Sequence, residues 1–239
     1  MDIFKDFFHI QQKALKRTFK NPRYIIIVSA IIIAGIISTN ILSNILFGIV
    51  KGGGYFSGLL IYILRVFIIG FLMSILYRAV KDSKSKTLYQ NYDFSQFAIK
   101  ILQIGFILYL VNFLLRTVNG NLYRIIYLIS LLVFNALPET IYLEEYDGFN
   151  SIVYSVDFFK NNLVNWGLSN IIISLIFYYV MRGQNLLAIL NLKDIKGILV
   201  SVLIVLLAGI YMIYRGVLFD ELNGSSRRKR EFMRNFNNE

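Results

Sequence analysis

Apolar residues fill the chain in long runs separated by short charged or glycine-rich breaks, and six of these runs are long enough to cross a bilayer. A hydrocarbon core about 30 Å thick takes roughly 20 residues of helix. The runs extend from Tyr24 to Phe47, Phe56 to Tyr77, Phe97 to Val118, Leu122 to Leu143, Trp166 to Met181 and Gly197 to Phe219. Lys51-Gly52-Gly53-Gly54 closes the first and a basic stretch opening at Arg78 closes the second. Asn119-Gly120-Asn121 is a turn signal that sends the chain back between the third and the fourth.

Two other segments carry helical periodicity but are too polar to span. Phe4, Phe8, Leu15 and Phe19 recur at helical spacing, with Lys5, Lys13, Lys16, Arg17 and Lys20 between them. Phe149, Ile152, Val153, Val156, Phe159 and Leu163 follow an i, i+3, i+4, i+7 pattern after the start signal Asp147-Gly148. Asn150, Ser151, Asp157, Lys160 and Asn161 form its wet side. The pattern predicts an all-α integral membrane protein with six transmembrane helices and two cytoplasmic interfacial amphipathic helices. It is read as a single membrane domain: a basic interfacial helix over 1–23, a six-span bundle over 24–219 with the second interfacial helix near 147–163, and a basic cytoplasmic tail over 220–239.

Composition agrees with that reading. Apolar residues make up 56% of the 239 and charged ones 16%, against about 25% charged in soluble domains; mean hydropathy is +0.60. With 2 Pro and 0 Cys, disordered, collagen-like and disulfide-scaffold classes are excluded. The net charge of +11 is concentrated at the ends of runs. Lys and Arg of 5–23, 78–100, 160, 215 and 227–234 fall on one side, and Lys51, Arg116, Arg124, Arg182, Lys193 and Lys196 on the other. Basic flanks stay cytoplasmic, so a multi-pass protein of a bacterial cytoplasmic membrane with both termini inside is expected. The first run is too long for a cleavable signal peptide and lacks a small-residue cleavage motif. Arg227-Arg228-Lys229-Arg230 could suggest nucleic acid, but the run reads as a topology determinant lying against anionic headgroups. The expected partners are a lipid bilayer with anionic headgroups and a cytoplasmic or membrane protein, with no nucleic acid.

Polar residues inside spans mark either interhelical glue or a site. At 1.5 Å per residue, Asn40 lies roughly 24 Å up span one, Asn112 roughly 22 Å up span three and Arg65 roughly 13 Å down span two. Together with Asn44 and Arg116, one turn beyond Asn40 and Asn112, they form a basic, amide-rich group in the outer leaflet. It is a candidate binding site for an anion or a lipid headgroup. Asn135 and Glu139 share a face of span four in the inner leaflet, where Asn170 and Ser174 of span five could meet them. Pro138 removes a backbone hydrogen bond beside Glu139, so span four is expected to kink or restart there. Depth assigns Arg65 to Asn40 and Asn112, and Glu139 to Asn135 and Asn170.

Catalytic chemistry is not visible. The single histidine is His9, and neither an HExxH nor a paired-Asp motif occurs. The glycine loop at 51–54 lacks the strand-loop-helix context of a phosphate-binding loop. No catalytic residue, metal or cofactor is therefore expected, and the chain is read as non-enzymatic.

Leu-Pro-Glu-Thr-Ile-Tyr-Leu-Glu-Glu-Tyr-Asp-Gly-Phe from Leu137, followed by Val-Tyr-Ser-Val-Asp-Phe-Phe-Lys-Asn-Asn from Val153, is a polar-ended span leading into an amphipathic helix. This stretch resembles the multi-span membrane domain found ahead of some bacterial glycerophosphodiesterases, and its free-standing relatives. The resemblance covers roughly an eighth of the chain. It implies a helical membrane module without the catalytic domain of that family, so no activity carries over. The expected function is a permease-like or accessory component working with a partner. The rivals are a self-contained secondary transporter of a small anion or lipid, and the transmembrane subunit of an ABC-type exporter or immunity complex.

Overall fold

The computed structural model describes residues 3–49, 55–81, 94–115, 126, 129–130, 132–173 and 195–223. Among these, every regular element is helical. They are α1 (Ile3–Thr18), α2 (Pro22–Ile49), α3 (Tyr55–Lys81), α4 (Phe94–Leu115), a 3₁₀ turn (Phe134–Ala136), α5 (Leu137–Leu143), α6 (Gly148–Asn161), a π-helical turn (Leu163–Leu168) and α7 (Ile195–Asn223). Four stretches are long and apolar enough to cross a membrane: Pro22–Leu46, Ser57–Lys81, Phe94–Leu115 and Gly197–Asn223. Residues 122–125, 127–128 and 131 of the fourth sequence run and 174–181 of the fifth lie outside the described residues.

Lipid is as apolar as leucine, so helices in a bilayer associate through close backbone approach and polar links. Both devices are present. Ser29 of α2 donates to the Val205 carbonyl of α7 at 3.3 Å. One α7 turn on, a Cβ at Gly209 would stand 2.5 Å from the Ser29 Oγ and 3.2 Å from the Ile25 carbonyl. The pairs Ser29/Val205 and Ile25/Gly209 run in opposite senses, so α2 and α7 are antiparallel. Gly70 of α3 lies against the Ala98 backbone of α4, where a Cβ would be 3.4 Å from its nitrogen. Outward faces stay apolar, with Ile26, Ile41, Leu59, Phe67, Phe106, Phe113, Leu199 and Leu203 exposed.

The fourth apolar run is broken, as Pro138 predicts. Residues 132 and 133 are helical, the chain tightens to 3₁₀ over Phe134–Ala136, and an α-helix restarts at Leu137 with Pro138 in its first turn. α6 begins where the start signal places it: the Asp147 carboxylate accepts from the Asn150 N–H at 3.0 Å, a conventional N-cap. At its other end the Asn162 amide donates to the Phe158 carbonyl at 3.1 Å, and the π turn follows.

α1 and α6 turn a partly polar side to the protein, and Ser151, read as part of the wet side of α6, is buried. α1 buries Asp6, Ile10, Gln11, Ala14 and Thr18 and leaves Phe4, Phe8, Leu15 and Phe19 exposed. α6 buries Gly148, Ser151, Ser155 and Phe158 and leaves Phe149 and Val153 exposed. α1 also does more than rest against the bundle. Gln11 meets Tyr214 and Arg17 meets Asp220, six residues on in both helices, so α1 advances along α7 in the same sense.

The glycine facing Tyr142 makes a direct test of this packing. A Cβ at Gly216 would collide with the Tyr142 hydroxyl and stand 2.7 Å from a Val80 methyl, whereas one at Gly58 meets nothing within 4 Å. Overpacking of this kind costs about 1–3 kcal/mol, and Gly to Ala in an open helix position gains up to about 1 kcal/mol. Gly216→Ala should lower the thermal midpoint in detergent, while Gly58→Ala should hold or raise it. Equal midpoints for the two variants would contradict the close approach of α7 to α5 and α3.

Candidate functional site

The centre of the site is a buried ion pair. Arg215 of α7 grips Glu139 of α5 in both arms: Nε donates to Oε1 at 2.8 Å and Nη2 to Oε2 at 2.8 Å. Glu139 is 3% exposed. Nη2 also donates to the Asn135 carbonyl in the 3₁₀ turn. Pro138 has no N–H to offer the Phe134 carbonyl, which accepts from the Leu137 N–H instead, and the guanidinium adds a donor at the next carbonyl, that of Asn135. The Thr140 hydroxyl donates to the Ala136 carbonyl at 3.0 Å. The break in the fourth apolar run and the ion pair thus adjoin.

Aromatic rings enclose the cation. The guanidinium carbon lies 5.4 Å from the Trp166 ring centre and 5.6 Å from that of Tyr211, close enough for cation–π attraction. Trp166 is fully buried, edge-on to Phe158 at 5.4 Å and to Phe219 at 6.0 Å, and Phe158 stacks on Phe219 at 4.2 Å. The Tyr211 hydroxyl donates to the Asn170 side-chain oxygen at 2.8 Å, and the Asn170 amide donates to the Trp166 carbonyl at 2.8 Å. Among the described residues, Trp166 Nε1, the Tyr142 hydroxyl and the Asn135 side-chain oxygen are buried with no hydrogen-bond partner.

A second polar layer joins α1 to this core. The Tyr214 hydroxyl donates to the Gln11 side-chain oxygen, the Gln11 amide donates to the Asn165 carbonyl at 2.8 Å, and the Asn165 amide reaches Asp6 at 3.4 Å. A third layer closes the end of the bundle. Arg17 donates to Asp220 at 2.7 Å, to Glu221 at 2.9 Å and to the Val80 carbonyl at 2.7 Å, with Lys81 on Asp220 and Lys13 on Glu221. Beside it the Lys100 ammonium donates to the carbonyls of Ile141 and Glu144 at 3.3 and 2.8 Å, capping the end of α5. The Tyr154 hydroxyl donates to Asn223, which donates to the Glu144 carboxylate. Burial pushes the Glu144 carboxyl above its ordinary value, outweighing the attraction of Lys81, and pushes Tyr154 up to about 12.

The inner group expected from sequence is largely assembled, with a different partner at its heart. Asn135, Glu139 and Asn170 converge, but the carboxylate takes Arg215, Asn135 contributes its carbonyl, and Asn170 bonds Tyr211. Arg215, which the charge pattern alone groups with the cytoplasmic basic residues, belongs to the site. The three outer residues whose side chains are described are not joined in this way. Among the described residues Arg65 and Asn44 are exposed, Asn40 is half-buried, and no hydrogen bond or ion pair links them. Arg116 and the Asn112 side chain lie outside the described residues. No group of three or more His, Cys, Asp or Glu able to hold a metal occurs among the described residues. No protein-family model, curated protein or solved structure matches the chain.

Two predictions follow from charge. Removing one partner of a buried pair costs about 3–5 kcal/mol because the other charge is stranded. A lone carboxylate escapes by taking a proton, whereas arginine stays charged. Glu139→Leu should therefore destabilise more than Arg215→Leu, with the double variant recovering most of the loss, measured as thermal midpoints of the purified protein. Additive losses in the double variant would contradict the pairing.

Glu144 gives a pH dependence of defined sign. Its carboxyl is raised above 4.5 in the folded protein, so just above that pH the folded state holds more protons than the unfolded one. Stability from this group is then present at low pH and lost as pH rises through the folded value. Glu144→Gln should match the wild type near pH 4 and be the more stable at pH 7. The reverse order in paired melting curves would refute the assignment.

Proposed function

We propose that the chain is a bacterial polytopic protein of the cytoplasmic membrane, crossing it six times with both termini inside, and that it acts without catalysis as a permease-like or accessory component beside a protein partner. The observation carrying this reading is the way the site spends its charge. Catalytic groups keep a base or nucleophile free to meet substrate, whereas both Glu139 oxygens are occupied by Arg215. The pair ties a broken span to the last helix, which is the work of a structural joint.

Six spans follow by adding the apolar runs ending at Leu143 and Met181 to the four long apolar helices. The inside assignment draws support from the gathering of Arg17, Lys81, Lys100 and the ends of α5 and α7 at one end of the bundle. The outward apolar stripes of α1 and α6 favour placing both in the cytoplasmic interface. One observation favours the transporter alternative. A helix broken beside a buried charge is how secondary transporters build sites near the midplane.

Topology is tested by labelling from outside. The chain has 0 Cys, so single cysteines can be read without background. Sites at Gly53, Asn121 and Gln184 should react, and sites at Ser85 and Ser226 should stay protected. Reaction at Ser85 would overturn the arrangement. Function is tested by purification in mild detergent with mass spectrometry of what is retained, where a stoichiometric protein partner is expected. Solute uptake by vesicles holding the purified chain alone, abolished in Glu139→Gln, would instead establish the transporter.

A further inference from the structure

At about 100° per residue, α6 presents three faces. Ser151, Tyr154, Ser155 and Phe158 turn to the protein: the Tyr154 hydroxyl donates to Asn223, the last residue of α7, and Phe158 stacks on Phe219. Next round the helix come Asn150, Asp157 and Asn161, all exposed and within about 40° of one another. Beyond them lie Phe149, Val153 and Val156, within about 60°. Phe149 is 63% and Val153 46% exposed. The wet strip therefore stands between the end of α7 and the apolar stripe.

Charge decides what covers the stripe. Glu145 and Asp147 ahead of α6 and Asp157 on it are exposed carboxylates, and the one cation of the helix is Lys160, 3.9 Å from Asp157. An anionic lipid surface is repelled by these groups, and a second copy of α6 would set them against themselves. The chain supplies another cover. α7 ends at Asn223, held on α6, and residues 224–239 continue outside the described residues. They begin with the cations Arg227, Arg228, Lys229 and Arg230 and go on to Phe232, Met233 and Phe236. Cations precede apolar residues, which is the order in which the wet strip and the stripe are met from Asn223. The lengths agree as well. The stripe lies about 12 Å round the helix from Tyr154, and the stretch from Asn223 to Phe232 spans about 13 Å if helical and about 30 Å if extended.

We infer that the C-terminal segment 224–239 docks on the outer face of α6, with its basic residues against Asp157 and the carboxylates at the start of the helix, and Phe232, Met233 and Phe236 against Phe149, Val153 and Val156. The inference stands on the contact between Asn223 and α6 and is independent of the sidedness proposed above. α6 stays at its end of the bundle, and only what lies over its stripe changes. A protein partner reaches this face by displacing the tail.

The test uses the full chain in open membrane fragments, where reagents meet both faces. The chain has 0 Cys, so introduced cysteines are read without background. Val153→Cys/Phe232→Cys should form an intrachain disulfide on mild oxidation, and the control Phe8→Cys/Phe232→Cys should not. Adding Asp157→Lys should lower the yield about threefold, and high salt should lower it too. Val153→Cys alone should resist a membrane-impermeant maleimide and become reactive when combined with Phe232→Ser/Met233→Ser/Phe236→Ser. Absence of the disulfide, equal linking by the control, or a link between two chains overturns the inference. A Val153→Cys that stays shielded beside the three serines also overturns it, because lipid is then the cover.

Discussion

The bidentate contact between Glu139 and Arg215 is the constraint around which the rest of the structure is arranged. Charges removed from water recover their desolvation only with near-ideal geometry and with every remaining donor occupied. The geometry here supplies two parallel hydrogen bonds, a third to the Asn135 carbonyl, and two aromatic faces over the guanidinium. Arginine suits the position where lysine would not, because its planar fork matches a carboxylate and stacks on rings. The same guanidinium gives the Asn135 carbonyl, in the turn before Pro138, a side-chain donor. A proline in the middle of a span leaves carbonyls without donors, and in a bilayer water cannot supply them.

Local choices elsewhere obey the rule that lipid rewards close approach and satisfied polar groups rather than apolar burial between helices. Ser29, Gly209, Gly70 and Gly216 sit at helix contacts, while isoleucine and phenylalanine face outward. The inverted faces of α1 and α6 follow from the same logic. In a soluble protein each would turn its phenylalanines to the core. Here Gln11, Asp6 and Arg17 face inward because the neighbouring helices present a carbonyl, an amide and carboxylates to them, and the phenylalanines are left exposed.

The sequence made much of this legible, and the exceptions have physical causes. The long apolar runs at α2, α3, α4 and α7, the start of α6 at Asp147 and the restart of span four at Pro138 all come from local signals that tertiary context did not override. The Glu139 partner was misassigned because Arg215 was counted with the basic flank. Its depth held the clue: Arg215 precedes the end of its apolar run by four residues, as Glu139 does, so the two stand at matching depth. Arg65 drew attention for being charged in mid-span, yet charge alone does not say which way a helix face points. The face that α1 turns to its neighbours was also beyond periodicity. Helical periodicity marks the apolar stripe without saying whether protein or lipid covers it.

Contiguity between the site and the bundle end decides how a disturbance there would be felt. α6 reaches α7 through Phe158 stacked on Phe219 and through Tyr154 on Asn223, and it reaches Trp166 through the same Phe158. α1 reaches α7 through Tyr214, one residue before Arg215, and through Asp220, five residues beyond it. Both amphipathic helices therefore bear on the last helix within two turns of the ion pair. Close-packed side chains do not deform smoothly, so a load on either helix is passed to α7 and, through Arg215, to Glu139 and to the Asn135 carbonyl of the 3₁₀ turn at Phe134–Ala136.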